Sequence, residues 1–166
     1  MIKIIAEAGV NHNGSLRKAL KLVKKAKECG ADIVKFQFFS TKELVNSNTK
    51  LARYQKNNTQ FKNQFSMLKS LELKYSDFSK IKNYCTKLKI EFLATAFDID
   101  SLKKLIKLGI KRIKIPSGEI YNIPFINFII KQKLPILIST GTSDMQEIKE
   151  IIKYLKKKKF SKKKLP

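Results

Sequence analysis

Short apolar runs alternate along this chain with longer stretches in which apolar residues recur every three or four positions. The first pattern predicts buried strands and the second amphipathic helices. Ile2 to Ala8 reads as a first strand, followed by a Gly9–Gly14 turn. Ser15 is placed to cap a helix from about Leu16 to Cys29, whose apolar positions Leu16, Ala19, Leu20, Val23 and Ala26 share one face, and Gly30 closes it. Asp32 to Phe38 is a second strand, and residues 40–60 are polar, rich in Asn and Thr, and irregular. Helical spacing resumes from Phe61 to Leu71, and Ser76 is expected to cap a further helix to about Leu88. Three βα units then follow. Their strands are Ile90–Thr95, Lys111–Ile115 and Pro135–Ser139. Their helices run from Asp98 to Leu108, from Asn122 to Lys131 with Pro124 in the first turn, and from a Ser143 cap to about Leu155.

Strands alternating with helices define an α/β protein with a parallel sheet. A closed barrel takes eight such units in about 250 residues, and this chain carries five. An open doubly wound sheet can be built from five strands, so the count alone leaves both architectures open.

The strands share a second feature: polar side chains gather at their C-terminal ends. These are Glu7, then Lys35 and Gln37, then Thr95, Lys114 with Ser117 and Glu119 just beyond it, and Ser139. Side chains alternate across a strand, so Lys35 and Gln37 share one face while Val34, Phe36 and Phe38 share the other. A parallel barrel assembles its active site at that rim. Lys35 and Lys114 are the most informative pair, because a Lys within a run of Ile, Val and Phe costs several kcal/mol unless it meets an anion. That anion is either an internal carboxylate, Glu7 or Glu119, or the phosphate or carboxylate of a substrate. Ser117-Gly-Glu119 and Ser139-Thr-Gly141 add hydroxyls and backbone N–H groups suited to an oxyanion. Glu7 and Glu119 are candidates for proton transfer or for orienting hydroxyls. His12, the chain's single histidine, is open to two readings, a hydrogen-bonded loop residue or a substrate contact; alone it excludes a His-rich metal centre.

Charge changes the picture less than its size suggests. The formal net charge is +23, but the Lys residues are spread over nearly every predicted helix. Arg, which makes bidentate contacts to bases, occurs only at Arg17, Arg53 and Arg112. Solvated helix faces and a non-specific attraction for polyanions follow, rather than a nucleic-acid reader. Cys29 and Cys85 are not spaced as a metal or disulfide pair and are expected as buried free thiols. No apolar run reaches the roughly 18 residues of a membrane span, and the chain opens on a strand-like run rather than a signal peptide, so a cytoplasmic protein is expected.

Taken in order, several stretches resemble the sialic acid synthase family. They are Ile4-Ile-Ala-Glu-Ala-Gly-Val-Asn-His-Asn-Gly14, Ala31-Asp-Ile-Val-Lys-Phe-Gln37, Tyr54-Gln-Lys-Asn-Asn-Thr59, Gln64-Phe-Ser-Met-Leu-Lys-Ser-Leu-Glu-Leu73, Phe92-Leu-Ala-Thr-Ala-Phe97, Lys114-Ile-Pro-Ser-Gly-Glu-Ile120 and Leu137-Ile-Ser-Thr-Gly141. The resemblance implies a parallel (β/α)8 barrel, here truncated to about five units. It implies a partial barrel domain over residues 1–155 and a Lys-rich tail over 156–166. It also implies a cytoplasmic enzyme of sialic acid biosynthesis that condenses phosphoenolpyruvate with an N-acyl amino sugar to give a nonulosonic acid and phosphate. In that scheme Lys35, Thr95, Lys114, Ser117 and Ser139 match positions that hold phosphoenolpyruvate, and Gln37 and Glu119 line the same site. Glu7 lies near the reacting centre, and Asn57 or Asn58 meets the sugar. Full-length members are expected as homodimers using Mn2+ or Mg2+. The two metal-binding histidines and an Asn-x-Tyr sugar-binding stretch belong to later strands absent from these 166 residues, so the expectation is a fragment not active alone. The alternatives are a non-catalytic basic binding protein derived from the same barrel, or another phosphoenolpyruvate-dependent aldol-type synthase. Either N-acetylmannosamine or the bacillosamine-derived sugar of legionaminic acid synthesis would serve as the sugar.

Overall fold

A computed structural model describes residues 2–52 and 60–158. Five strands, β1 (Ile5–Gly9), β2 (Ile33–Phe38), β3 (Glu91–Ala96), β4 (Ile113–Ile115) and β5 (Ile136–Ile138), form a parallel sheet in chain order. A doubly wound sheet would reverse its strand order partway; this one does not. The chain divides into two compact units, residues 1–92 and 93–166, with the boundary inside β3.

In the first unit, α1 (Leu16–Glu28) begins where Ser15 accepts a hydrogen bond from the Lys18 N–H, and it buries Ala19, Val23 and Ala26. The polar segment after β2 holds a short helix, α2 (Thr41–Leu44), that its composition hides. Helix α3 (Gln64–Leu71) starts three residues later than expected, because Asn63 caps it by accepting from Ser66 N–H at 2.8 Å. Helix α4 (Tyr75–Lys87) is not capped by Ser76. It opens at Lys74, whose N–H donates to the Asp77 carboxylate at 3.2 Å, and Ser76 falls inside the first turn. An ionised carboxylate is a stronger acceptor than a hydroxyl, so Asp77 sets the start.

Helix α4 buries Phe78, Ile81 and Cys85. Phe78 lies 4.7 Å from Phe38, 6.5 Å from Phe36 and 6.3 Å from Phe92, measured between ring centroids. Edge-on pairs of this kind add about 0.5–1.5 kcal/mol to the area they bury. The alternation expected in β2 is therefore present: Phe36 and Phe38 are buried, while Lys35 and Gln37 stay partly accessible. Cys85 is buried as expected, with its thiol pushed up to about 12 by desolvation, but Cys29 is exposed, because it sits at the C-cap where α1 runs out into solvent.

The second unit repeats the scheme. Asp98 caps α5 (Ile99–Lys107), accepting from Ser101 N–H at 2.7 Å, and Leu102 and Leu105 are buried. Strand β4 is followed by a single 3-10 turn, Ser117–Glu119, where the sequence suggests only a loose Ser-Gly segment. Asn122 caps α6 (Ile123–Lys131), and Phe125, Ile126 and Ile129 are buried. Helix α7 (Met145–Lys157) is capped by Asp144 rather than Ser143. Asp144 accepts from Glu147 N–H at 2.8 Å, and Glu147 accepts from Asp144 N–H at 2.9 Å. That reciprocal pair satisfies two orphan donors at once, which a lone Ser cannot do. Among the described residues no helix is long and apolar enough to cross a membrane.

Candidate functional site

The candidate residues occupy the C-terminal ends of the strands in both units. In the first unit Glu7 and Lys35 are register partners on β1 and β2, and their side chains form an ion pair. Of the two anions the sequence leaves open for Lys35, this structure supplies the internal one. The register slips just beyond it: Glu7 faces Lys35, but Gly9 faces Phe36, a bulge in β1. Gly9 has φ +52°, a region that favours glycine, and a Cβ there would lie 3.3 Å from Glu7 Oε1 and 3.9 Å from Gln37 Nε2. Bulges of this kind re-aim side chains beside active sites. Gly9 thus lets the Glu7 carboxylate and the Gln37 amide share one place, a role the sequence reading missed; its only signal is a glycine closing a strand.

His12 does not reach the rim. It is 1% exposed, its Nδ1 accepts from Gly14 N–H at 3.1 Å, and its ring lies 6.1 Å from that of Phe36. The proton therefore sits on Nε2, which has no partner among the described residues. Burial pushes its pKa below the usual histidine value. The structure selects the loop reading over the substrate contact.

A second missed feature ties the segment after β2 to the end of α3. Glu72 accepts from the Thr41 hydroxyl at 2.7 Å and from Thr41 N–H at 3.1 Å, and Lys69 bridges to it at 3.1 Å. Burial pushes the Glu72 carboxyl up, but these donors together outweigh it and hold it below the usual carboxylate range. Asn63 adds a bond from its amide to Ser47 O at 3.1 Å. Asn57 and Asn58 lie outside the described residues.

In the second unit Thr95 is buried and is the register partner of Lys114. The Lys114 ammonium donates to the Ser139 hydroxyl and, at 2.8 Å, to Ile115 O. Ser139 is held in turn by its own N–H, which donates to Ile115 O at 3.1 Å. Ser117 opens the 3-10 turn, and Glu119 closes it, accepting from the Asn122 amide at 2.7 Å. Thr95, Lys114 and Ser139 therefore come together, while the Glu119 carboxylate is held at the start of α6. An ammonium and a hydroxyl brought together from neighbouring strands can bind a phosphate or carboxylate oxygen.

The divalent metal implied by the resemblance finds no fit in the described residues. Among them no three His, Cys, Asp or Glu side chains lie together, and the single histidine is buried in its loop.

The NeuB family model matches residues 22–165, and the chain belongs to that family. It is 51% identical to the N,N'-diacetyllegionaminic acid synthase of Legionella pneumophila over 92% of this chain and 43% of that protein. Identity to the Campylobacter jejuni protein of the same name is 43%, over 92% of this chain and 46% of that one. The chain thus spans less than half the length of these curated relatives. Among solved structures, the N-acetylneuraminic acid (sialic acid) synthetase of Leptospira borgpetersenii superposes with a TM-score of 0.81 at 31% identity, covering 95% of this chain and 51% of that one. A truncated 3-deoxy-D-arabino-heptulosonate 7-phosphate synthase of Thermotoga maritima shares the fold alone, with a TM-score of 0.65 at 12% identity.

Proposed function

We propose that this chain is the phosphoenolpyruvate-binding part of a nonulosonic acid synthase of the diacetyllegionaminic type, built as five units of a (β/α)8 barrel. The observation that carries the reading is the 51% identity to a diacetyllegionaminic acid synthase across 92% of the chain. Identity to the N-acetylneuraminate-9-phosphate synthase of Homo sapiens is only 29% over a similar span, which favours the bacillosamine-derived sugar over N-acetylmannosamine. A sheet whose strand order follows the chain is what a barrel requires.

In this proposal the ammonium groups of Lys35 and Lys114, with the hydroxyls of Thr95, Ser117 and Ser139, bind the phosphate and carboxylate of phosphoenolpyruvate. Gln37 orients it, and Asn57 or Asn58 meets the sugar. C3 of the enol attacks the sugar aldehyde, the electron deficiency moves to C2, and water adds there. Phosphate then leaves with cleavage of its bond to C2. Glu7 and Glu119 are the groups proposed to move protons to the aldehyde oxygen and from the water. Calorimetric titration of the 166-residue chain with phosphoenolpyruvate tests the binding half of this reading. Micromolar binding that is lost in both Lys35→Ala and Lys114→Ala is expected. Salt-sensitive binding to nucleic acid with no response to phosphoenolpyruvate would refute it and favour a basic binding protein.

A further inference from the structure

We infer that Glu7 is a built-in counter-anion that a substrate's phosphate or carboxylate must displace from Lys35, so that anion binding and release of the Glu7 carboxylate are one event. The inference rests on the proposed function only in taking Lys35 as an anion-binding residue.

The two halves of the Glu7–Lys35 pair are unequally held. The Lys35 side chain is 12% exposed, within a strand whose neighbouring residues Val34 and Phe36 are buried. The Glu7 side chain is 51% exposed. Moving the ammonium away would leave a desolvated charge or force it through the core, whereas the carboxylate can swing toward water at little cost. When a second anion arrives, Glu7 is therefore the group that yields. Its path is short: one carboxylate oxygen, Oε2, meets Lys35, and the other, Oε1, lies against Gly9, where the absent side chain leaves the bulge open.

The exchange has a consequence for chemistry. While Glu7 is bound to Lys35, its Oε2 is occupied by the ammonium and is not free to meet a substrate atom. An anion that replaces it on Lys35 releases that carboxylate beside the newly bound molecule. Glu7 would then take up its proposed role only once the site is filled, and an empty site would hold its own base in check.

The competing pair weakens anion binding by the free energy of the contact it must break. For a half-exposed pair that contact is modest, and its removal corresponds to roughly five- to tenfold in affinity. Calorimetry on the 166-residue chain at fixed ionic strength reads this directly, with phosphoenolpyruvate, inorganic phosphate and pyruvate as separate titrants. Pyruvate carries the carboxylate alone and phosphate the phosphoryl group alone, so the three distinguish which group displaces Glu7. The variants are Glu7→Gln, Glu7→Ala, Lys35→Met and the Glu7→Gln/Lys35→Met pair, with far-UV circular dichroism and a urea midpoint for each. Both Glu7 variants should bind at least one titrant about five- to tenfold more tightly than wild type. In the Lys35→Met background the Glu7→Gln change should have less than about a twofold effect.

Unchanged or weaker binding in both Glu7 variants overturns the inference. So does equal tightening with Lys35 removed, which would reflect net charge alone. A Lys114→Ala arm separates the two readings: if it leaves phosphoenolpyruvate binding intact, the proposed function fails while the Glu7 exchange on Lys35 stands. Binding seen only in the Glu7 variants supports the exchange most directly. No binding by any variant overturns both.

Discussion

Gly14 offers a test of the fold that depends on no view of function. It closes the turn between β1 and α1 with φ +70°, and a Cβ built on it would fall 2.2 Å from the Ser70 carbonyl oxygen and 3.4 Å from its carbon. Both atoms are backbone of α3, so no flexible side chain can move aside. Gly14→Ala carries two penalties. The left-handed backbone costs about 1–2 kcal/mol for a residue with a Cβ. Relieving the overlap means separating the turn from α3 by about 1 Å, which falls in the ~1–3 kcal/mol range of overpacking in a dense interior. Gly30 isolates the first penalty, because it has φ +80° and a methyl group placed on it would meet nothing within 4 Å. Gly30→Ala should therefore lose about 1–2 kcal/mol and Gly14→Ala about 2–5 kcal/mol. In equilibrium urea unfolding, with a slope of roughly 2 kcal/mol/M, the Gly14 variant's midpoint should fall about 1–2.5 M and the Gly30 variant's about 0.5–1 M. Equal losses in the two variants would refute the close approach of the turn to α3.

Three further outcomes are expected. Phe78→Ala removes the ring that touches Phe36, Phe38 and Phe92, and urea unfolding should show a loss of about 3–5 kcal/mol; a loss under about 1 kcal/mol would mean these rings do not form one core. Asp144→Ala breaks the reciprocal cap of α7 and should cost about 1 kcal/mol, while Ser143→Ala stays within about 0.5 kcal/mol; the reverse ranking would restore Ser143 as the cap. His12 is held neutral by burial, with its folded pKa below the unfolded value near 6.5. Its contribution is therefore fully present above the unfolded pKa and lost as pH falls from there through the folded value. Urea midpoints of wild type should decline as pH drops from about 7.5 to about 5, and His12→Gln should show a flatter profile; parallel profiles would contradict a buried neutral histidine.

Much of the architecture was legible because it rests on short-range rules. The period of apolar residues located every strand and the longer helices, though not α2, and Ser15, Asp98 and Asn122 announced three helix starts through side chains that accept from N–H groups three residues on. The polar strand ends were equally plain, since a Lys within an apolar strand is costly wherever the strand is placed. The errors cluster where two local candidates compete. Asp77 and Asp144 prevailed over Ser76 and Ser143 because a carboxylate is a stronger acceptor than a hydroxyl, and only the backbone geometry shows which group closes the first turn.

By itself, then, the sequence determined the alternation of strands and helices, the parallel sheet it implies, and the set of polar residues carried at the strand ends. Those follow from periodicity and from the cost of burying charge, both properties of residues and their near neighbours. The tertiary structure decided who meets whom. It chose Glu7 rather than Glu119 for Lys35, through the register of β1 on β2. It brought Ser139 to Lys114 across β4 and β5, buried His12 beside Phe36, and left Cys29 in solvent. It also set Gly14 against Ser70 and Thr41 against Glu72, pairs that lie 56 and 31 positions apart. Contacts at such separations depend on strand register and helix packing together, and no local pattern encodes either.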